Sequence, residues 1–161
     1  MIEKDKQSNI FIISGPSGVG KDTLMDIVAE NNSDIVHIAI TATTRKPRSN
    51  ETNGINHYFY NEIDFKNLID QNLLIEWAKV YDNFYGVPYN EITENLNIGK
   101  KVLLRVDVQG AKRLKNIIPH SKFIFINAES EDDLLLRLKK RHENSDTDIQ
   151  KRINQSKSEI K

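Results

Sequence analysis

A chain of 161 residues is long enough for one compact unit with a real core and small appended lobes, and too short for two full domains. With 38% hydrophobic and 29% charged residues it is not a disordered chain, and Lys plus Arg balance Asp plus Glu at 23 each, so no global field recruits nucleic acid or an anionic membrane. The absence of cysteine excludes a disulfide framework, a thiol nucleophile and any Cys-ligated metal, and suits a reducing cytoplasm.

The first residues, from Met1 to Ser8, carry neither the apolar core of a signal peptide nor the acid-poor, Arg-rich character of a transit peptide. His37, His57, His120 and His142 show no paired spacing, so they read as surface or partly packed side chains rather than zinc ligands. Asn9–Ser14 is a β-branched apolar run ending at Gly15, the pattern of a buried parallel strand. Leu24, Ile27 and Val28 recur at helical spacing between Lys21 and Asn31, giving strand, Gly-rich turn, helix. Ile35–Ile40 is a second strand candidate.

Thr41–Asn56 is polar, holds Pro47, Gly54 and two arginines, and reads as a loop. His57–Tyr60 as a strand, Asp64–Gln71 as a helix and Leu74–Val80 as a strand make a small α+β insertion, with Asn83–Pro88 read as a turn. Lys101–Asp107 is a strand of the main sheet, followed by a helix over Gln109–Ile118 and a strand over Lys122–Asn127. The alternation predicts a parallel sheet flanked by helices, formed by residues 1–40 and 89–130 and interrupted by an insertion at 41–88. Residues 131–161 are charged and helix-favouring, with a break near Glu143–Thr147, and stop inside a helical pattern, so a further core element is expected beyond Lys161.

Gly15-Pro16-Ser17-Gly18-Val19-Gly20-Lys21 fits G-x-x-x-x-G-K between a predicted strand and a predicted helix, the context a Walker A loop requires. Its glycines let successive N–H groups face phosphate, the helix N-terminus adds positive potential, and Lys21 reaches the β- and γ-phosphates. Asp22 stands where Ser or Thr is usual, with Thr23 one place later. Asp22 either holds Mg²⁺, directly or through water, or favours the helix N-terminus by charge. For the acceptor, Arg45 and Arg48 offer guanidinium forks, and Tyr58 and Tyr85 phenolic donors, suited to a phosphomonoester.

Thr43-Thr44-Arg45-Lys46-Pro47-Arg48 with Glu51, Gly54 and Tyr58-Phe59, then Leu74–Ala78, Asn83–Gly86 and Val106–Ala111, resembles the successive blocks of guanylate kinases, from about Ile10 to the end of the chain. The variants around Asp22 and Arg105 look closest to plant organelle-type members. The resemblance implies a P-loop kinase fold with a small acceptor-binding insertion and a helical lid, and transfer of the γ-phosphoryl of ATP, carried with Mg²⁺, to GMP. ATP would lie on Gly15, Pro16, Ser17, Gly18, Val19, Gly20, Lys21, Asp22 and Thr23. Arg45, Arg48, Tyr58 and Tyr85 would grip the GMP phosphate, while Thr41, Glu76 and Asp107 would face guanine. A carboxylate such as Glu76 can accept from guanine N1–H and the 2-amino group, a donor pair that adenine lacks. Asp107, read as ending a strand, also competes for a water-mediated Mg²⁺ contact.

Arg137, Arg141 and Arg152 match lid arginines, Arg137 toward ATP and Arg141 and Arg152, with Lys21 and Arg45, toward the transferring phosphate. Asp22 and Thr23 are the metal candidates. The resemblance further implies a cytoplasmic monomer or homodimer acting on ATP and GMP without nucleic acid or membrane. Val87, Asn50, Arg105 and the Asn56-His57 pair depart from the family pattern. Two alternatives stay open: a catalytically silent guanylate-kinase-like binding module, against which the intact Gly18, Gly20 and Lys21 argue, and a P-loop kinase for another small phosphorylated acceptor, such as a sugar.

Overall fold

The computed structural model describes residues 2–80, 82–128, 130, 133 and 134. In chain order its elements are α1 (Lys4–Gln7), β1 (Ile10–Ser14), α2 (Lys21–Glu30), β2 (Val36–Ile38), β3 (Thr41–Thr43), β4 (His57–Phe59), α3 (Glu62–Asp70), β5 (Leu74–Val80), β6 (Asn83–Pro88), α4 (Tyr89–Asn97), β7 (Lys101–Arg105), α5 (Val108–Ile117) and β8 (Lys122–Phe125).

The main sheet runs β2-β7-β1-β8, parallel throughout, with Ile13 beside Arg105 and Ser14 beside Phe125. Side chains on a strand alternate between faces. Ile10, Ile12, Val102 and Leu104 therefore enter one core with Ile92 and Leu96 of α4 and Leu114 of α5, while Ile13 and Leu103 enter another with Met25 of α2. Both faces of β1 and β7 are covered, which is why their sequences read as continuous apolar runs rather than alternating ones. This is the α/β arrangement, a parallel sheet flanked by helices, that the strand–helix rhythm predicts.

A second sheet, β4-β3-β6-β5, is built within the insertion. Here the sequence reading needs correction twice. Thr41–Thr43, expected to open a loop, is strand β3, parallel to β4 and antiparallel to β6. Its polar look is deceptive, because the Thr43 hydroxyl is fully buried and donates to the Phe84 carbonyl at 2.9 Å. Asn83–Pro88, expected to turn, is β6, paired with strands on both sides. Gly86 is needed there for space rather than for a bend: a Cβ would lie 2.8 Å from Leu74 Cδ1 and 3.2 Å from the Glu76 carbonyl oxygen.

Helix α4 had no counterpart in the sequence reading. Ile92 and Leu96, one helical turn apart, supply its whole buried apolar face, too narrow a stripe to stand out among Asn, Glu and Thr. Main-sheet strand β7 also ends earlier than expected. Asp107 is not a strand residue but the N-cap of α5, its carboxylate accepting from Gly110 N–H at 2.6 Å. Of the expected lid, only Asp133 and Leu134 fall among the described residues.

The insertion has its own small core. Phe65, completely buried on α3, stacks on Phe84 of β6 with ring centroids 5.5 Å apart. Phe65→Ala removes this anchor and should cost about 3–5 kcal/mol of stability. Chemical denaturation of parent and variant measures it; a loss below about 1 kcal/mol would mean that the insertion is held together elsewhere.

Candidate active site

The carboxyl ends of β1 and β7 face the insertion across a cleft of about 550 Å³. Open parallel sheets place their ligand crevices at that edge. One wall is the Gly-rich loop. Gly15, Gly18 and Gly20 have φ of 144°, 86° and 100°, the left-handed region where a side chain is strained. Gly15 is also required by contact: a Cβ there would sit 2.0 Å from the Ile126 carbonyl oxygen. Gly20 caps α2, so the loop runs directly into a helix N-terminus, and Lys21 curls back to donate to the carbonyls of Gly15 and Pro16 at 2.7 and 2.8 Å.

Gly15, Ser17, Gly18, Gly20, Lys21 and Asp22 line the cleft, whereas Pro16 and Val19 are buried supports beneath the loop. Thr23 is exposed on α2 and does not line it. Asp22 has a partner that the sequence reading did not give it: Arg105, at the end of β7, donates to its Oδ1 at 2.7 Å. The two substitutions noted separately in the sequence therefore form one ion pair. Among the described residues no group of three or more His, Cys, Asp or Glu side chains comes together to hold a metal.

On the opposite wall, Arg45 forks onto Glu51, with Nη1 to Oε2 at 2.9 Å and Nη2 to Oε1 at 2.8 Å, and the Arg48 backbone N–H reaches the same carboxylate at 2.8 Å. These hydrogen bonds, Arg45's foremost, outweigh burial and pull the Glu51 carboxyl down to about 2, while Arg45 is raised in return. Glu51 thus fixes the direction of the Arg45 fork and ties down the backbone at Arg48, both of which line the cleft with Tyr85.

Tyr58, expected at the phosphate, points out of the cleft instead. Its hydroxyl donates to Glu91 at 2.6 Å, which pushes the phenol up to about 12. The neighbour on β4, His57, takes the cleft-facing place. Strand alternation allows only one of two consecutive residues to face a given side, a signal in the sequence that the choice of Tyr58 by residue type overlooked. His57 Nδ1 lies 2.7 Å from the Thr41 hydroxyl, its register partner on β3. Burial, then the positive charges of Arg105 and Arg45, hold the imidazole down at about 4, so it is neutral near pH 7. Glu91 sits beneath: burial would raise it, but hydrogen bonds from His37, Tyr58 and the Ile40 N–H prevail and lower it.

Thr41, Glu76, Val87 and Asp107 complete the cleft between these two ends. Glu76 is buried, and its Oε1 accepts from Arg113 of α5, Nε at 2.8 Å and Nη2 at 2.5 Å. Arg137, Arg141 and Arg152, the expected lid arginines, lie outside the described residues.

Residues 7–161 match the family model described as guanylate kinase. The guanylate kinase of Caldanaerobacter subterraneus subsp. tengcongensis is 41% identical over 155 residues, 96% of this chain and 75% of that protein. That of Clostridioides difficile is 38% identical over 156 residues, covering 97% of this chain and 76% of its own. A crystal structure of guanylate kinase from Anaplasma phagocytophilum superposes with a TM-score of 0.69 at 29% identity, over 94% of this chain and 69% of that one.

The Glu51 cluster makes stability depend on pH with a defined sign. A carboxyl whose folded value is depressed contributes fully above its ordinary value of 4.5 and loses that contribution as pH falls toward about 2. The melting temperature of E51Q should lie below that of the parent at pH 7, and the gap should close progressively below pH 4.5. A gap that stays constant down to the acid limit would show that the Glu51 charge contributes nothing.

Proposed function

The chain belongs to the guanylate kinase family, whose members are ATP:GMP phosphotransferases, and from that premise we propose how its own residues divide the transfer of the γ-phosphoryl of ATP to GMP. ATP lies along Gly15–Asp22, its phosphates met by the loop N–H groups, the N-terminus of α2 and Lys21. GMP lies on the insertion, its phosphate on Arg45, Arg48 and Tyr85 and its base toward Thr41, Glu76 and Asp107. The observation that carries this reading is that Lys21 and its loop, the Arg45–Arg48 pair and the buried Glu76 all open onto one cleft.

Phosphoryl transfer asks little covalent chemistry of a protein. It needs the acceptor oxygen held in line with the γ-phosphorus, the developing charge balanced, and water excluded. Lys21 and Arg45 approach the reacting centre from opposite walls, and Arg141 and Arg152 are proposed to close over it from the lid, with Arg137 on ATP. Glu51 keeps the Arg45 fork aimed, so that less side-chain freedom is lost when a phosphate is bound. His57, neutral and facing the cleft beside Arg45, can donate or accept a hydrogen bond without repelling a phosphate.

Mg²⁺ is proposed to arrive with ATP. The donors present suit an ion carried by substrate rather than one caged by protein: Asp22 beside the loop is shared with Arg105, and among the described residues no group of three or more such side chains gathers around a common point. Thr23, exposed on α2, is the weaker candidate. Bound there, the ion would neutralise charge across the β- and γ-phosphates.

Coupled measurement of ADP release with GMP, dGMP, AMP, UMP and CMP tests acceptor and activity together. GMP should be far the best substrate, and equal efficiency on AMP would overturn the role of Glu76. Lys21→Ala should lower kcat by about 10²-fold or more, since it removes a donor aimed at transition-state charge. Its unfolding midpoint should barely move. Turnover within a few-fold of the parent would remove the loop from the mechanism.

A further inference from the structure

Glu76 and Arg113 meet across the junction of the two sheets, β5 bringing the acid from the insertion and α5 the guanidinium from the core. The contact is built, not incidental. Asp107, Gly110 and Arg113 recur every three residues, so they share one face of α5. Gly110 has no spare volume there: a Cβ would lie 3.1 Å from Val106 Cβ, 3.2 Å from Asp107 Oδ1 and 3.4 Å from Glu76 Cδ. A side chain there would press on Val106 and Asp107 and touch Glu76, so the glycine keeps the approach of Glu76 to the start of α5 close, with Arg113 one turn farther on.

Arg113 grips one oxygen only. Nε and Nη2 both donate to Oε1, and among the described residues Oε2 takes part in no hydrogen bond, although Glu76 is 7% exposed and lines the cleft. We propose that Arg113 is a positioning residue for acceptor selection: by holding Oε1 it sets the plane of the Glu76 carboxylate and leaves Oε2 turned to the N–H donors of the acceptor's base. The inference rests on the reading of Glu76 as the guanine acceptor and deepens it.

Charge leads to the same assignment. Burial raises Glu76, Arg113 works against that through its hydrogen bonds and charge, and Asp107 raises it further. Arg113 and Asp107 from α5 are the charged groups that act on it. Across the hairpin its register partner on β6 is Val87, and α3 meets that sheet through Phe65. Without Arg113, a buried acid beside Asp107 would take up a proton at a higher pH, and a protonated Glu76 presents one acceptor fewer to guanine.

Steady-state kinetics over a range of pH tests the proposal on the R113M, R113K, E76Q and E76Q/R113M variants. R113M should raise KM for GMP about tenfold, leave kcat and KM for ATP within about threefold, and move the acid limb of kcat/KM for GMP to higher pH. R113K should recover most of the loss, and in the E76Q background R113M should no longer move the limb. An R113M enzyme with the parental KM and acid limb, alongside an E76Q enzyme that has lost guanine preference, would overturn the role of Arg113 and spare that of Glu76. An E76Q enzyme that still prefers GMP would overturn both. Should R113M not fold, R113Q, which keeps donors without charge, is held to the same shift of the limb.

Discussion

Parallel pairing of β1 with β7, in the register that sets Ile13 beside Arg105, is the constraint from which the cleft follows. Parallel strands finish at the same edge, so the Gly-rich loop after Ser14 and the Arg105–Asp107 segment emerge side by side although they are far apart in sequence. Arg105 then finds Asp22, 83 residues away, and Asp107 caps the helix that carries Arg113. The neighbouring strand β8 sets the other limit, its chain passing so close at Ile126 that only glycine fits at position 15. Move the register by one residue and every side chain at this edge changes face.

Three carboxylates of the cleft hold four guanidinium groups: Glu51 holds Arg45 and, at 3.9 Å, Arg48, Asp22 holds Arg105, and Glu76 holds Arg113. Such pairs add little net stability when exposed, and Arg105–Asp22 and Arg113–Glu76 each have one member well open to water. Their value lies in direction. A fork held by a carboxylate loses less freedom when it meets a second anion, and a cluster of cations stays compatible with a folded protein. This is how a chain with no formal net charge gathers cationic side chains at one cleft.

Features of the fold were legible where the signal is local. The loop needs three glycines and a lysine at fixed spacing after an apolar run, and those occur within the stretch from Ile10 to Lys21. The β6 strand was not legible, because Asn83, Gly86 and Pro88 read as turn residues until the crowding by Leu74 and Phe65 explains the glycine. Tyr58 offers a suitable donor by residue type, but strand alternation gives the cleft-facing place to His57. The partners of Asp22 and Glu76 were out of reach for a different reason: they are 83 and 37 residues distant, and no periodicity in a sequence records a contact of that range.

A crystal structure of the protein with GMP and a non-hydrolysable ATP analogue tests the division of the cleft most directly. The account predicts the GMP phosphate on Arg45, Arg48 and Tyr85, its guanine edge against Glu76 Oε2 with Arg113 still on Oε1, and the ATP phosphates along Gly15–Asp22. GMP bound with its phosphate on the Gly-rich loop, or with its base away from Glu76, would contradict it.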